Sequence, residues 1–77
     1  MTYDLLESVV LVRDLPEHGL KKGDLGAVVE LYPSDGLEVE FVRASGRTQV
    51  VVTVQSQDVR KVSDADLMAV RPVDGSG

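Results

Sequence analysis

Gly19-Leu20-Lys21-Lys22-Gly23-Asp24-Leu25-Gly26-Ala27-Val28-Val29-Glu30-Leu31-Tyr32 decides how the chain folds, because it passes from turn chemistry straight into a strand. Lys22-Gly23-Asp24-Leu25-Gly26 reads as a tight turn, and a glycine at the start of a strand pattern marks a bulge or a close backbone approach. From there the period of two places Ala27, Val29 and Leu31 on one face and Val28, Glu30 and Tyr32 on the other. Gly19, Gly23 and Gly26 are spaced somewhat like a phosphate-cradling loop, but such loops open a helix whose N-terminus holds the anion. These glycines open a strand and are read as punctuation of the backbone.

On the N-terminal side, Pro16 fixes its own φ and pushes Leu15 out of the helical region, while Gly19 can take the left-handed conformation, so the chain turns at Arg13–Gly19. Leu15 and Leu20 are apolar residues in this polar loop, which is expected to fold back and cap one end of a barrel. Upstream, Val9-Val10-Leu11-Val12 closes a first strand over Glu7–Val12.

On the C-terminal side, Pro33-Ser34-Asp35-Gly36 is a turn signal and leads into Leu37-Glu38-Val39-Glu40-Phe41-Val42, whose alternation puts Leu37, Val39 and Phe41 inward. Ala44-Ser45-Gly46-Arg47 makes the next hairpin, and Val50, Val52 and Val54 share a face of Thr48–Val54. These strands form a meander. Ser56-Gln57-Asp58-Val59 suits one 3₁₀ turn before Arg60-Lys61-Val62. Ser63-Asp64-Ala65-Asp66 resembles a capped helical turn with Ser63 as N-cap. Leu67–Arg71 reads as either the rest of a short helix or a closing strand, the strand being favoured, and Pro72 ends it. The expectation is an all-β domain over residues 1–73: a small SH3-like barrel of about five strands, with a short helical turn near the C-terminus and a flexible tail at 74–77.

Composition narrows the function. The chain has 77 residues and no cysteine, which removes disulfides and most soft-metal sites. A core this small yields only a few kcal/mol on its own, roughly 3–5, so self-association is an available source of added stability. The net charge of −5 repels nucleic acid and anionic lipid at long range. Tyr3, Tyr32 and Phe41 are too few for the stacking platforms of single-strand binders. No apolar run approaches the roughly 20 residues of a bilayer span, and the N-terminus lacks the positive charge of a secretory signal, so a cytoplasmic location without membrane contact is expected.

The run Asp14-Leu15-Pro16-Glu17-His18-Gly19-Leu20-Lys21-Lys22-Gly23-Asp24-Leu25-Gly26-Ala27-Val28-Val29-Glu30 resembles the signature of DUF4926, a family of small bacterial proteins. Val39-Glu40-Phe41, Gly46-Arg47-Thr48 and Asp58-Val59-Arg60 fit as well, so the resemblance runs from the first strand through Arg60. It implies an SH3-like β-barrel and carries no catalytic residues to transfer. Gly23-Asp24-x-Gly26-x-Val28 is also similar, more distantly, to KOW-type modules, which often bind RNA or transcription complexes. The acidic balance departs from that pattern.

His18 has Asp14, Glu17 and Asp24 nearby in sequence, but a lone histidine without cysteine or a second histidine is ordinarily a solvated turn residue. The carboxylates lack the spacing of an EF-hand. No catalytic, cofactor or metal site is therefore assigned. Val28, Val51 and Tyr32 fall opposite the expected core face and suggest an outer apolar patch, covered either by Ser63–Pro72 or by another subunit. Glu30, Glu38 and Glu40 form an acidic stripe beside it. Arg47 and Arg60 match family positions and, with Arg43 and Lys61, form a basic set if the two turns meet. The expected function is a non-enzymatic interaction module that binds a protein partner or self-associates, antitoxin-like or immunity-like in its narrower form. The alternative is KOW-like nucleic-acid or ribonucleoprotein binding through Arg43, Arg47, Arg60 and Lys61.

Overall fold

The computed structural model describes residues 2–73. Its five strands are β1 (Ser8–Leu11), β2 (Leu25–Leu31), β3 (Gly36–Val42), β4 (Thr48–Gln55) and β5 (Val59–Lys61). Single 3₁₀ turns at Pro16–His18 and Ser56–Asp58 are the helical elements among the described residues. Every pairing is antiparallel and the strand order is β4-β3-β2-β1-β5. The first four strands form a meander, and the chain then returns through the Ser56–Asp58 turn to lay β5 along β1. An all-β domain of five short strands is what the alternation and turn spacing imply.

One side of the sheet holds the core: Val9, Leu11, Val28, Leu37, Val39, Phe41, Val52, Val54 and Val59 from the strands, closed by Tyr3, Leu15 and Leu20 from the loops. Leu15 and Leu20 exchange backbone hydrogen bonds (2.9 and 3.1 Å) across the Pro16–His18 turn, which folds their side chains inward as expected. Tyr3 is a core residue that the polar N-terminus did not suggest. Its hydroxyl lies 3.4 Å from the Val59 carbonyl, and the Lys61 ammonium sits 5.1 Å from its ring centroid.

The faces of β2 are reversed over its first half. Val28 pairs with Val39 and is 0% exposed, so it belongs to the core and not to an outer patch. The register shifts between Val28 and Glu30, with Val29 as the extra residue of a bulge, and Glu30 then pairs with Glu38. Simple alternation cannot be carried through a bulge, because one added residue exchanges the two faces. Gly26 faces inward with Val28. A methyl group there would lie 2.6 Å from Val39 Cγ1 and 2.9 Å from both the Glu40 carbonyl and Phe41 Cε1. The glycine marks a close approach, and the bulge sits three residues further on.

The fifth strand is Val59–Lys61, and Leu67–Arg71 forms neither strand nor helix. β1 already has β2 and β5 as neighbours, so no place beside it is open to a closing strand. Leu67 and Val70 are instead 94% and 95% exposed. Ser63–Asp66 is a turn in which the Asp66 carboxylate accepts from Ser63 N (2.7 Å), reversing the expected N-cap role of Ser63. Asp74–Gly77, expected to form a tail, lie outside the described residues.

Candidate functional site at the edge of the sheet

β4 and β5 are the two edges of the sheet, and they are built differently. β5 is three residues long, and its charged side chains are engaged. The Arg60 guanidinium donates to both Asp66 carboxylate oxygens (2.8 and 2.9 Å), and Lys61 Nζ donates to Glu7 Oε2 (2.9 Å). These partners hold the Asp66 and Glu7 carboxyls below the ordinary carboxylate range. β4 runs for eight residues, Thr48-Gln49-Val50-Val51-Val52-Thr53-Val54-Gln55, with no charge and no proline.

Hairpin geometry fixes which β4 groups face away from β3. Tyr32 N donates to the Gly36 carbonyl, so the backbone groups of Gly36 and Glu38 point to β2. Those of Leu37, Val39 and Phe41 then point to β4 and meet Val54, Val52 and Val50. The N–H and C=O groups of Val51 and Thr53 consequently point outward, where β4 has no neighbouring strand. Gln55 N, next in the same phase, donates to Asp58 Oδ2 (2.9 Å), which covers that end of the edge. Asp58 is buried and also accepts from Arg13 Nε (2.8 Å), and that guanidinium keeps its carboxyl below the ordinary range despite burial.

Tyr32 and Val51 are 42% and 44% exposed, and both lie on the outer surface of the β2–β4 meander. Burial and the neighbouring Glu38 carboxylate together hold the Tyr32 phenol above its ordinary pKa. Glu38 pairs with Thr53, and Glu40 pairs with Val51 and accepts from the Thr48 hydroxyl. The surface next to the open edge therefore runs Tyr32, Glu38, Thr53, Val51 and Glu40, and Val28 has no part in it. Thr53 is the member of this site that the sequence did not single out.

The four basic residues divide between two places in the sheet order. Arg43 and Arg47 flank the β3–β4 hairpin, whereas Arg60 and Lys61 lie on β5 at the opposite edge of the sheet order. Arg43 Nε donates to Gln49 Oε1 (2.7 Å). His18 is exposed in the Pro16–His18 turn. Among the described residues no group of three or more His, Cys, Asp or Glu side chains gathers where it could hold a metal, and no helix is long and apolar enough to cross a membrane.

Asp14, Asp24 and the three glycines of the conspicuous loop have structural roles. Asp14 Oδ1 accepts from Lys22 N (2.8 Å), and Asp24 Oδ2 accepts from Lys21 N (2.8 Å). Gly19 and Gly23 take φ values of 69° and 96°, where a side chain would be strained. With Gly26 against Val39, these residues make one rigid corner. A family model described as "Domain of unknown function (DUF4926)" matches residues 5–61, a span that includes this corner and all five strands. The chain belongs to the DUF4926 family. No curated protein and no solved structure matches it.

Residues 62–73 continue beyond the DUF4926 match. Arg71 anchors them by donating to both Asp24 oxygens (2.8 and 2.5 Å) and to the Gly19 carbonyl (3.2 Å). Partial burial raises the Asp24 pKa, and the Arg71 and Lys21 donors outweigh it, so the carboxyl ends below its ordinary range. An open groove of about 670 Å³, lined by Leu20, Leu25, Phe41, Val42, Val70 and Pro72, lies alongside this segment.

Proposed function

We propose that this DUF4926 protein is a non-enzymatic, cytoplasmic interaction module that binds protein through the β4 edge and the adjoining surface of Tyr32, Thr53 and Val51. The observation that carries the reading is the eight-residue uncharged edge whose Val51 and Thr53 backbone groups point away from the sheet. An extended segment added there would gain main-chain hydrogen bonds, and alternate side chains would set its specificity. The protein's acidity favours basic partners, as an antitoxin-like or immunity-like role would require.

The test is co-purification from the native cells with tagged wild type, Val51→Lys and His18→Ala. Binding at the edge predicts that proteins recovered with wild type are lost with Val51→Lys and retained with His18→Ala. Recovery of the same proteins with Val51→Lys as with wild type would refute the reading.

A further inference from the structure

We infer that the β4 edge pairs with a second copy of itself, giving a two-fold dimer whose sheet runs continuously through both chains. The inference rests on the interaction reading above and names the partner. An antiparallel pair with the two-fold axis perpendicular to the sheet keeps both outer surfaces on one side, which requires some residue to lie opposite its own copy. Centring on Val52 sets Val51 opposite Thr53 of the second copy and Thr53 opposite its Val51. These are the two residues whose backbone groups point outward between the Gln49 bulge and the Asp58-capped Gln55. One register thus satisfies both positions in both copies with four backbone hydrogen bonds.

Charge fits the same arrangement. The strand itself brings no charge to the seam. The Glu38 and Glu40 stripes of the two copies stand three strand spacings apart, about 14 Å, which is beyond the Debye length at physiological salt. Arg47 precedes one end of β4, and the exposed Asp35 sits beside the other end, where its carbonyl accepts from Ser56 N (3.0 Å). Neither side chain has an ion-pair partner among the described residues. In the Val52-centred antiparallel arrangement the Arg47 end of β4 meets the Gln55 end of the second copy's β4, one strand from its Asp35, and the symmetry repeats this approach at the other end. A long arginine reaches across that spacing, so two unmatched charges per chain become two pairs per dimer.

Sedimentation velocity and native mass over a roughly hundredfold concentration range test the inference. Wild type is expected to move from 8.3 kDa to twice that mass as concentration rises. Thr53→Pro removes an edge N–H that the fold does not use and is expected to abolish the shift, as is Val51→Lys if the proline variant fails to fold. Arg47→Glu is expected to weaken the dimer by about tenfold, and adding Asp35→Arg to it is expected to restore most of the affinity. A wild type that remains monomeric throughout overturns the inference, and does so without touching the co-purification result, which reports other partners. A dimer unaffected by Thr53→Pro and Val51→Lys also overturns it.

Discussion

The β5 edge is short and locked by its own ion pairs; the β4 edge is long, uncharged and covered at one end only. Edge strands are commonly protected by shortness, charge, bulges or proline, because an open row of backbone groups invites another chain. β5 has the first two protections. β4 has a bulge at Gln49, where the register shifts opposite Phe41 and Val42, and then five residues without a guard up to Gln55. The contrast teaches where each kind of substitution should act: changes at β5 and in the core, Val52 and Val54 of β4 included, should cost stability, and changes at the outward-facing Val51 and Thr53 should cost association alone.

The largest effect is expected below both edges. Gly26→Ala places a methyl group inside the van der Waals distance of Val39, Phe41 and the Glu40 carbonyl, and the backbone oxygen cannot swing aside. A loss of about 3 kcal/mol is expected by chemical denaturation. Next, Asp58→Ala removes the cap on Gln55 N and the partner of Arg13 at the entry to β5. It should cost about 2 kcal/mol. Asp58→Asn, which keeps an acceptor for Gln55, should cost less.

Acid pH should act on the same guarded side. Asp58, Asp66, Asp24 and Glu7 all have carboxyls held below their ordinary values in the fold. Each therefore contributes stability that is present above its unfolded pKa, about 4, and is lost as pH falls through the lower folded value. Urea midpoints should be flat near neutrality and fall below about pH 4. Asp58→Asn should flatten part of that slope, whereas Val51→Lys should leave it unchanged. The smallest effect is expected on the open side itself. Val51→Lys should shift stability by no more than about 0.5 kcal/mol, because the side chain is already solvated and meets no ion-paired group.

What the sequence made legible follows from how local each signal is. The Leu37–Phe41 alternation and the Val50, Val52, Val54 face needed only the period of two, and both hold in β3 and β4. The 3₁₀ turn at Ser56–Asp58 is equally local, its cap made by Gln55 and Asp58. Val28 was hidden by the Val29 bulge, which is visible only against the Val39 register. β5 was hidden by its length: Val59-Arg60-Lys61 has no periodicity, and its identity depends on Leu11, Val10 and Val9 across the pair. Leu67–Arg71 had the apolar content of a strand, but the place beside β1 is taken by Val59–Lys61, and the segment pairs with neither edge. At the candidate site, Val51 and Tyr32 were found by parity alone. Thr53 was not, because its importance comes from the outward phase of its backbone, which the hairpin registers set. Arg60 looked available in the sequence and is held by Asp66 in the fold.

Backbone hydrogen exchange at several protein concentrations tests most directly the claim that β4 is an open, pairing edge. The account predicts that the Val52 and Val54 amides, bonded to β3, exchange slowly at every concentration, while those of Val51 and Thr53 exchange rapidly when dilute and slow as concentration rises. Val51 and Thr53 amides that are protected even at high dilution, or that stay rapid at every concentration, would contradict it.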